Sequence, residues 1–107
     1  MRLPFDVIIS PDKLSRYLLV FREKNDKSGF LNKAGFTLDE PEKLEDAIRK
    51  LISEHELETD GEDEYGQYVR VEGSMTGPNG HIIEVVTIWM QRTGDETYRF
   101  ITLKPKR

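Results

Sequence analysis

Cysteine is missing from the 107-residue chain, which excludes disulfides, thiolate nucleophiles and cysteine-ligated zinc. Histidine is scarce: His55 and His81 stand too far apart for metal-ligand spacing, so neither metal nor cofactor is expected. No run reaches the roughly 18 apolar residues of a membrane span, and Met1 to Ser10 lacks the apolar centre of an export signal. The expected setting is therefore cytoplasmic with no membrane partner, export within a larger effector staying compatible. Surplus charge is small as well: 16 basic against 20 acidic residues leave −4, which supplies no broad positive field for nucleic acid but allows a local one. Residues 1–107 are too few for two independent cores, and 36% hydrophobic residues are enough for one, so a single globular domain is expected.

Apolar residues recur at helical spacing up to residue 55 and at spacing two from residue 65, which predicts helices first and strands second. Phe5 to Ile9 reads as a short extended piece. Ser10-Pro11 then suits a helix start, with Leu14, Tyr17, Leu18 and Phe21 on one stripe and an end near Arg22. Phe30, Leu31 and Ala34 before Gly35 predict a short helix closed by a left-handed glycine, and Phe36 a core plug. Pro41 opens a third helix whose stripe is Leu44, Ala47, Ile48, Leu51 and Ile52. Seven acids between Glu54 and Glu64 repel one another and bring little apolar surface, so 56–64 reads as a connector.

Residues 65–104 read as an antiparallel meander over Gln67 to Thr76, His81 to Arg92 and Thr97 to Lys104. The expected fold is α+β, with N-terminal helices packed on one face of a meander of three or four strands. A two-residue turn within Gly77-Pro78-Asn79-Gly80 sets Val71 opposite Val86, and a Gly94-Asp95 turn sets Thr87 opposite Thr102. Alternation then puts Val69, Val71, Met75, Ile82, Val86, Ile88, Met90, Ile101 and Leu103 underneath. Tyr68, Arg70, Glu72, Ser74, His81, Ile83, Val85, Thr87, Trp89, Tyr98, Phe100, Thr102 and Lys104 form the upper face. That mixture of rings, hydroxyls and charges suits a ligand or partner better than bare solvent.

The chemistry predicted there is anion and base recognition. Arg70 offers a guanidinium fork to phosphate oxygens, Thr87 and Thr102 add hydroxyls, Lys104 adds charge, and Tyr68, Trp89 and Phe100 offer stacking surfaces. A turn histidine is ordinarily a solvated residue, yet His81 falls on the same predicted face and is the candidate proton carrier. His55 extends the stripe of the third helix and reads as structural. Lys27-Ser28-Gly29 ahead of the short helix could present an ammonium and backbone amides to a phosphate, although it lacks a glycine-rich loop.

The string Pro11-Asp12-Lys13-Leu14, Tyr17-Leu18-Leu19, Lys27-Ser28, Phe30, Ala34-Gly35-Phe36, Tyr65-Gly66, Gly73, Thr76 to Gly80, Val86-Thr87-Ile88-Trp89 and Thr102 resembles a small bacterial domain, the domain of unknown function 6883 type. The resemblance implies toxin and antitoxin or polymorphic toxin systems as the setting, and it draws attention to Lys27, Trp89 and Thr102, with Tyr65 and the Gly77 to Gly80 turn architectural. The succession of helices and a twisted sheet is also similar, at fold level, to barnase and RelE-type ribonuclease toxins.

Two functions stay open on the sequence. One is a toxin-like effector acting on RNA without a metal, with Lys27, Arg70, His81 and Thr102 catalytic and Tyr68, Thr87, Trp89, Phe100 and Lys104 binding. The other is a non-catalytic domain whose upper face docks a cognate antitoxin or immunity-type protein, or forms a homodimer.

Overall fold

The structure is a computed structural model and describes residues 1–19 and 28–106. Lys27, Phe21 and the predicted end of the first helix at Arg22 lie outside those residues. The fold is α+β: a π-helix over Lys13–Leu18, α1 over Ser28–Asn32 and α2 over Pro41–Glu54 precede β1 (Glu58–Asp63), β2 (Gly66–Thr76), β3 (Ile82–Arg92) and β4 (Tyr98–Pro105). The strands form one antiparallel sheet in the order β1-β2-β3-β4.

Each predicted helix stripe that is described turns inward. Leu14 and Leu18 are buried on the π-helix, which closes with the Leu19 N–H donating 3.0 Å to the Leu14 carbonyl, five residues back. On α2, Pro41 occupies the first turn and Leu44, Ile48, Leu51 and Ile52 are buried. His55, extended just beyond α2, brings Nδ1 to 3.0 Å from the Leu51 carbonyl; a carbonyl only accepts, so Nδ1 donates and satisfies an orphan group of the helix end. The ring lies over Gly73, where a Cβ would come 2.6 Å from Nε2. The N-terminal extended piece pairs at Ile8: its N–H donates to Tyr98 and its carbonyl accepts from Phe100, a parallel bridge along β4.

The first hairpin departs from the expected register. Its loop is Pro78-Asn79-Gly80, three residues, with the Gly77 N–H donating to the His81 carbonyl and Thr76 opposite Ile82. The physical reason is Pro78: its ring holds φ near −65° and forbids the positive φ of a Pro78-Asn79 type I′ loop, and it lacks the N–H that pairing opposite His81 around an Asn79-Gly80 loop would need. Gly80, at φ 85°, takes the left-handed position that closes the longer loop. One extra loop residue reverses the facing of β3 relative to β2. Val71 therefore pairs with Thr87 rather than Val86.

The second hairpin keeps the expected pairing near its turn, with Trp89 opposite Phe100 and Gln91 opposite Tyr98. A bulge then absorbs Ile101, so Ile88 meets Thr102 and Thr87 meets Leu103. As a result Val69, Val71, Met75, Ile83, Val85, Trp89, Phe100 and Leu103 share one buried cluster with Leu14, Leu18, Leu31, Phe36, Leu44, Ile48 and Leu51. Ile82, Val86, Ile88 and Met90, expected underneath, belong to the opposite face and to no part of that cluster. The acidic stretch is likewise not a bare connector: residues 58–63 form β1, exposed along its whole length and paired with β2.

The Pro78-Asn79-Gly80 loop also ties the sheet to α1. Asn79 donates its side-chain amide to the Lys33 carbonyl at 2.9 Å, and Gly35, at φ 92°, turns the chain so that Ala34 approaches the same loop. Gly77 is closed in by the Ala34 backbone, into which any Cβ would collide. Gly77→Ala should therefore cost about 1–3 kcal/mol, as overpacking against a backbone that cannot yield does. A urea midpoint unchanged from that of the parent chain would refute this docking.

Candidate functional site

The predicted row Arg70, Thr87, Thr102 does not exist as one surface. Thr87 is fully buried: its hydroxyl donates to the Val71 carbonyl at 3.0 Å and accepts from Trp89 Nε1 at 2.9 Å. Trp89, also fully buried, meets Phe100 edge to face, with ring centroids 5.3 Å apart and planes at 72°. These three residues are core, because the three-residue loop turned Thr87 and Trp89 inward and Phe100 follows as the partner of Trp89. Thr87 solves a packing problem, since an indole buried without an acceptor would leave its N–H unsatisfied. Thr87→Val keeps the volume and removes the acceptor; it should lower stability by about 1–3 kcal/mol in urea unfolding. An unshifted transition would return Thr87 to the list of candidate ligand contacts.

Of the remaining candidates, Tyr68, Arg70, Thr102 and Lys104 share the sheet face opposite the core cluster. Across the strands the register reads Glu58, Arg70, Ile88, Thr102, and beside it Glu72, Val86, Lys104. Tyr68 lies opposite Met90, which lies opposite Arg99. His81 is exposed in the hairpin loop, its N–H bonded to Asn79 Oδ1 at 2.9 Å. Six residues separate Thr76, at the loop, from Arg70, so His81 and Arg70 stand about 20 Å apart along the strand. That distance prevents both from serving one scissile bond.

Arg70 is already occupied. Nη2 lies 2.7 Å from Glu58, Nη1 3.1 Å from Asp60 and Nε 3.4 Å from Glu72. The hydrogen bond that Arg70 donates to Asp60 and the fields of Glu58 and Glu72 raise the guanidinium above its ordinary value against the opposing effect of desolvation. Three carboxylates around one cation leave no fork for a phosphate. Glu72 has a second partner, Lys106 at 3.6 Å, a pair that reaches over β3 from beyond β4 to β2. The acids of β1 were legible as charge but not as ligands of Arg70, since nothing in their spacing signals a strand.

Two further groups fix the sheet ends. Tyr68 donates 3.0 Å to Asp63, whose other oxygen accepts from the Tyr65 and Gly66 amides, and this bond to a carboxylate raises the phenol above its ordinary value. Asp95 accepts from the Thr97 N–H at 2.9 Å, which lowers its carboxyl, with Arg99 and Arg92 assisting. A folded-state value below the unfolded one means the contribution of this turn is present above about pH 4 and fades as pH falls through the folded value. The Thr97 amide shift should follow that titration with a midpoint below the usual aspartate value and lose it in Asp95→Asn. A midpoint at or above the usual value contradicts the assignment.

Among the described residues there is no group of three or more metal-ligating side chains and no helix long and apolar enough to cross a membrane. No curated protein and no solved structure matches the chain. A family model described as Domain of unknown function (DUF6883) matches residues 5–107 and so takes in every element from the π-helix to β4. Over that span the chain belongs to the DUF6883 family.

Proposed function

We propose that this domain is a non-catalytic interaction module that docks a protein through the open face of its sheet. The reading takes the helices to cover the opposite face, where α2 touches β2 and the buried strand residues join the helical stripes. The observation that carries it is the middle strand. β3 presents Ile82, Val86, Ile88 and Met90, with Glu84 between Ile82 and Val86, on the side that bears no residue of the core cluster, and Ile82 is 62% exposed. Single exposed aliphatics need no explanation, but an apolar column between rows of charge has the layout of a docking centre with a polar rim.

The rival reading, action on RNA without a metal, needs an available guanidinium and rings free to stack. Arg70 is held by Glu58, Asp60 and Glu72, and Trp89 and Phe100 are buried. Support for that reading comes from the family resemblance alone. The setting implied by that resemblance offers a cognate antitoxin or immunity-type protein as one kind of partner, and a second protomer is another.

A photoreactive phenylalanine analogue at position 88 or 90 of the intact chain, expressed in cells, should give discrete covalent adducts on illumination. The same group at position 42, exposed on α2, should give none, and total RNA should stay intact. No adduct from either β3 position would remove the proposal. RNA fragmentation that disappears in Arg70→Ala would replace it with the effector reading.

A further inference from the structure

We infer that the free edge of β2, from Glu72 to Thr76, takes up an extended segment of another protein as an added strand. This goes beyond the reading above, which concerns the sheet face, and neither depends on the other. β1 is shorter than its neighbour. It pairs with Gly66 to Arg70 and stops, so Val71 to Thr76 have β3 on one side and, among the described residues, no strand on the other.

Backbone groups of an antiparallel strand point alternately to its two sides. The Gly77 N–H donates to the His81 carbonyl, which turns Gly77, Met75, Gly73 and Val71 toward β3. Glu84, the partner of Ser74, accepts from the Lys106 N–H and so turns toward β4, in keeping with the same alternation. Glu72, Ser74 and Thr76 therefore aim N–H and C=O away from β3, and among the described residues no backbone group bonds to them there.

The other edges are blunted. β1 is acidic, exposed along its length and irregular between Thr59 and Gly61. The outer edge of β4 is bonded to Ile8 at Tyr98 and Phe100, and Pro105, opposite Val85, has no N–H to offer. The β2 notch contains no proline and no bulge. A row of unmet backbone groups of that kind is a template for one more strand.

α2 walls the notch. A hollow of about 80 Å³ lies between Ala47, Leu51 and Glu54 of α2 and Ser74 to Thr76 of β2. It adjoins a wider, open one of about 340 Å³ at the hairpin, lined by Phe36, Ala47 and Pro78. Lys43 and Lys50 are balanced by Asp46 and Glu54 along these walls, so the groove selects neither sign of charge. What fits is an extended segment with apolar side chains at alternate positions, about 7 Å apart, one in each hollow, and its backbone bonded to Ser74 and the residues beside it.

A second copy does not fit. Two β2 edges paired antiparallel about Ser74 would set the other copy's Pro78 opposite Arg70, where Glu58 already lies. Sliding the copies apart to clear β1 leaves hardly any of the notch paired. The occupant is accordingly a loop or chain end that is extended by itself.

Selection of short random peptides, displayed on phage, against the intact chain tests this. Enriched sequences should carry apolar residues at alternate positions. A synthetic peptide of that sequence should slow amide exchange at Ser74 and Thr76 and leave Met75, already in the β3 ladder, unchanged. Ser74→Pro removes an outward N–H where an edge strand tolerates proline, and it should weaken binding roughly tenfold. Ala47→Gln fills the groove from α2 without touching β2 and should weaken binding by a similar factor at unchanged circular dichroism.

No enriched sequence, peptides that bind without slowing those two amides, or binding equal in parent and both variants overturns the inference. Slow exchange of the same amides without peptide, growing with protein concentration, would give the edge to a second copy and refute it as well. Failure here is separable from failure of the face reading: peptides lost on Ile88→Asp but kept by Ser74→Pro belong to the sheet face and refute only the edge.

Discussion

The facing of β3 is decided by one proline. A Pro78-Asn79 turn would need positive φ at Pro78 and an Asn79-Gly80 turn an N–H that Pro78 lacks, so Gly80 supplies the left-handed step of a three-residue loop. Everything between Ile82 and Arg92 inherits its side from that step, because a change of one residue in register exchanges the faces of a strand. Trp89 and Thr87 go to the core and Ile88 and Met90 to the surface. The loop is held from outside as well, since Asn79 bonds to the Lys33 carbonyl and Gly77 admits the Ala34 backbone. The short helix and the hairpin thus stabilise each other's geometry, and the register does not depend on the loop alone.

α2 and the glycine turn after α1 were readable because their signals do not compete. Pro41, the spacing of Leu44, Ile48, Leu51 and Ile52, and Gly35 each have one structural meaning, and the structure realises each. β2 was readable for the same reason: Val69, Val71 and Met75 alternate with Tyr68, Arg70, Glu72 and Ser74. β3 was not. Ile82, Ile83, Val85, Val86, Ile88, Trp89 and Met90 are apolar on both sides, so alternation carries no information about which side is buried and the turn alone decides. Ile101 posed a comparable difficulty, since no residue type announces a bulge beside an isoleucine.

β1 illustrates a different limit. Glu, Asp and Gly are poor strand formers, and a run such as Glu58–Asp63 has no buried residue to justify a strand. What holds it is cross-strand: Arg70 draws in Glu58 and Asp60, and Asp63 collects the amides of Tyr65 and Gly66 with the Tyr68 hydroxyl. The Arg70 pairs join residues 10 and 12 apart in sequence and become visible only once the strands are side by side. The acids also keep this sheet edge hydrophilic, which discourages uncontrolled strand addition.

The two faces of β3 divide the work that a single mixed face was expected to do. The bulky rings go inside, where Thr87 satisfies the indole and Phe100 packs against it, and this leaves the outer side to unbranched or small branched side chains. On that outer side β3 carries Ile82, Glu84, Val86, Ile88 and Met90, flanked by Tyr68 and Arg70 of β2 and Thr102 of β4. Arg70 fits the same division. Committed to three carboxylates, it orders the acid strand along β2 instead of offering a binding fork.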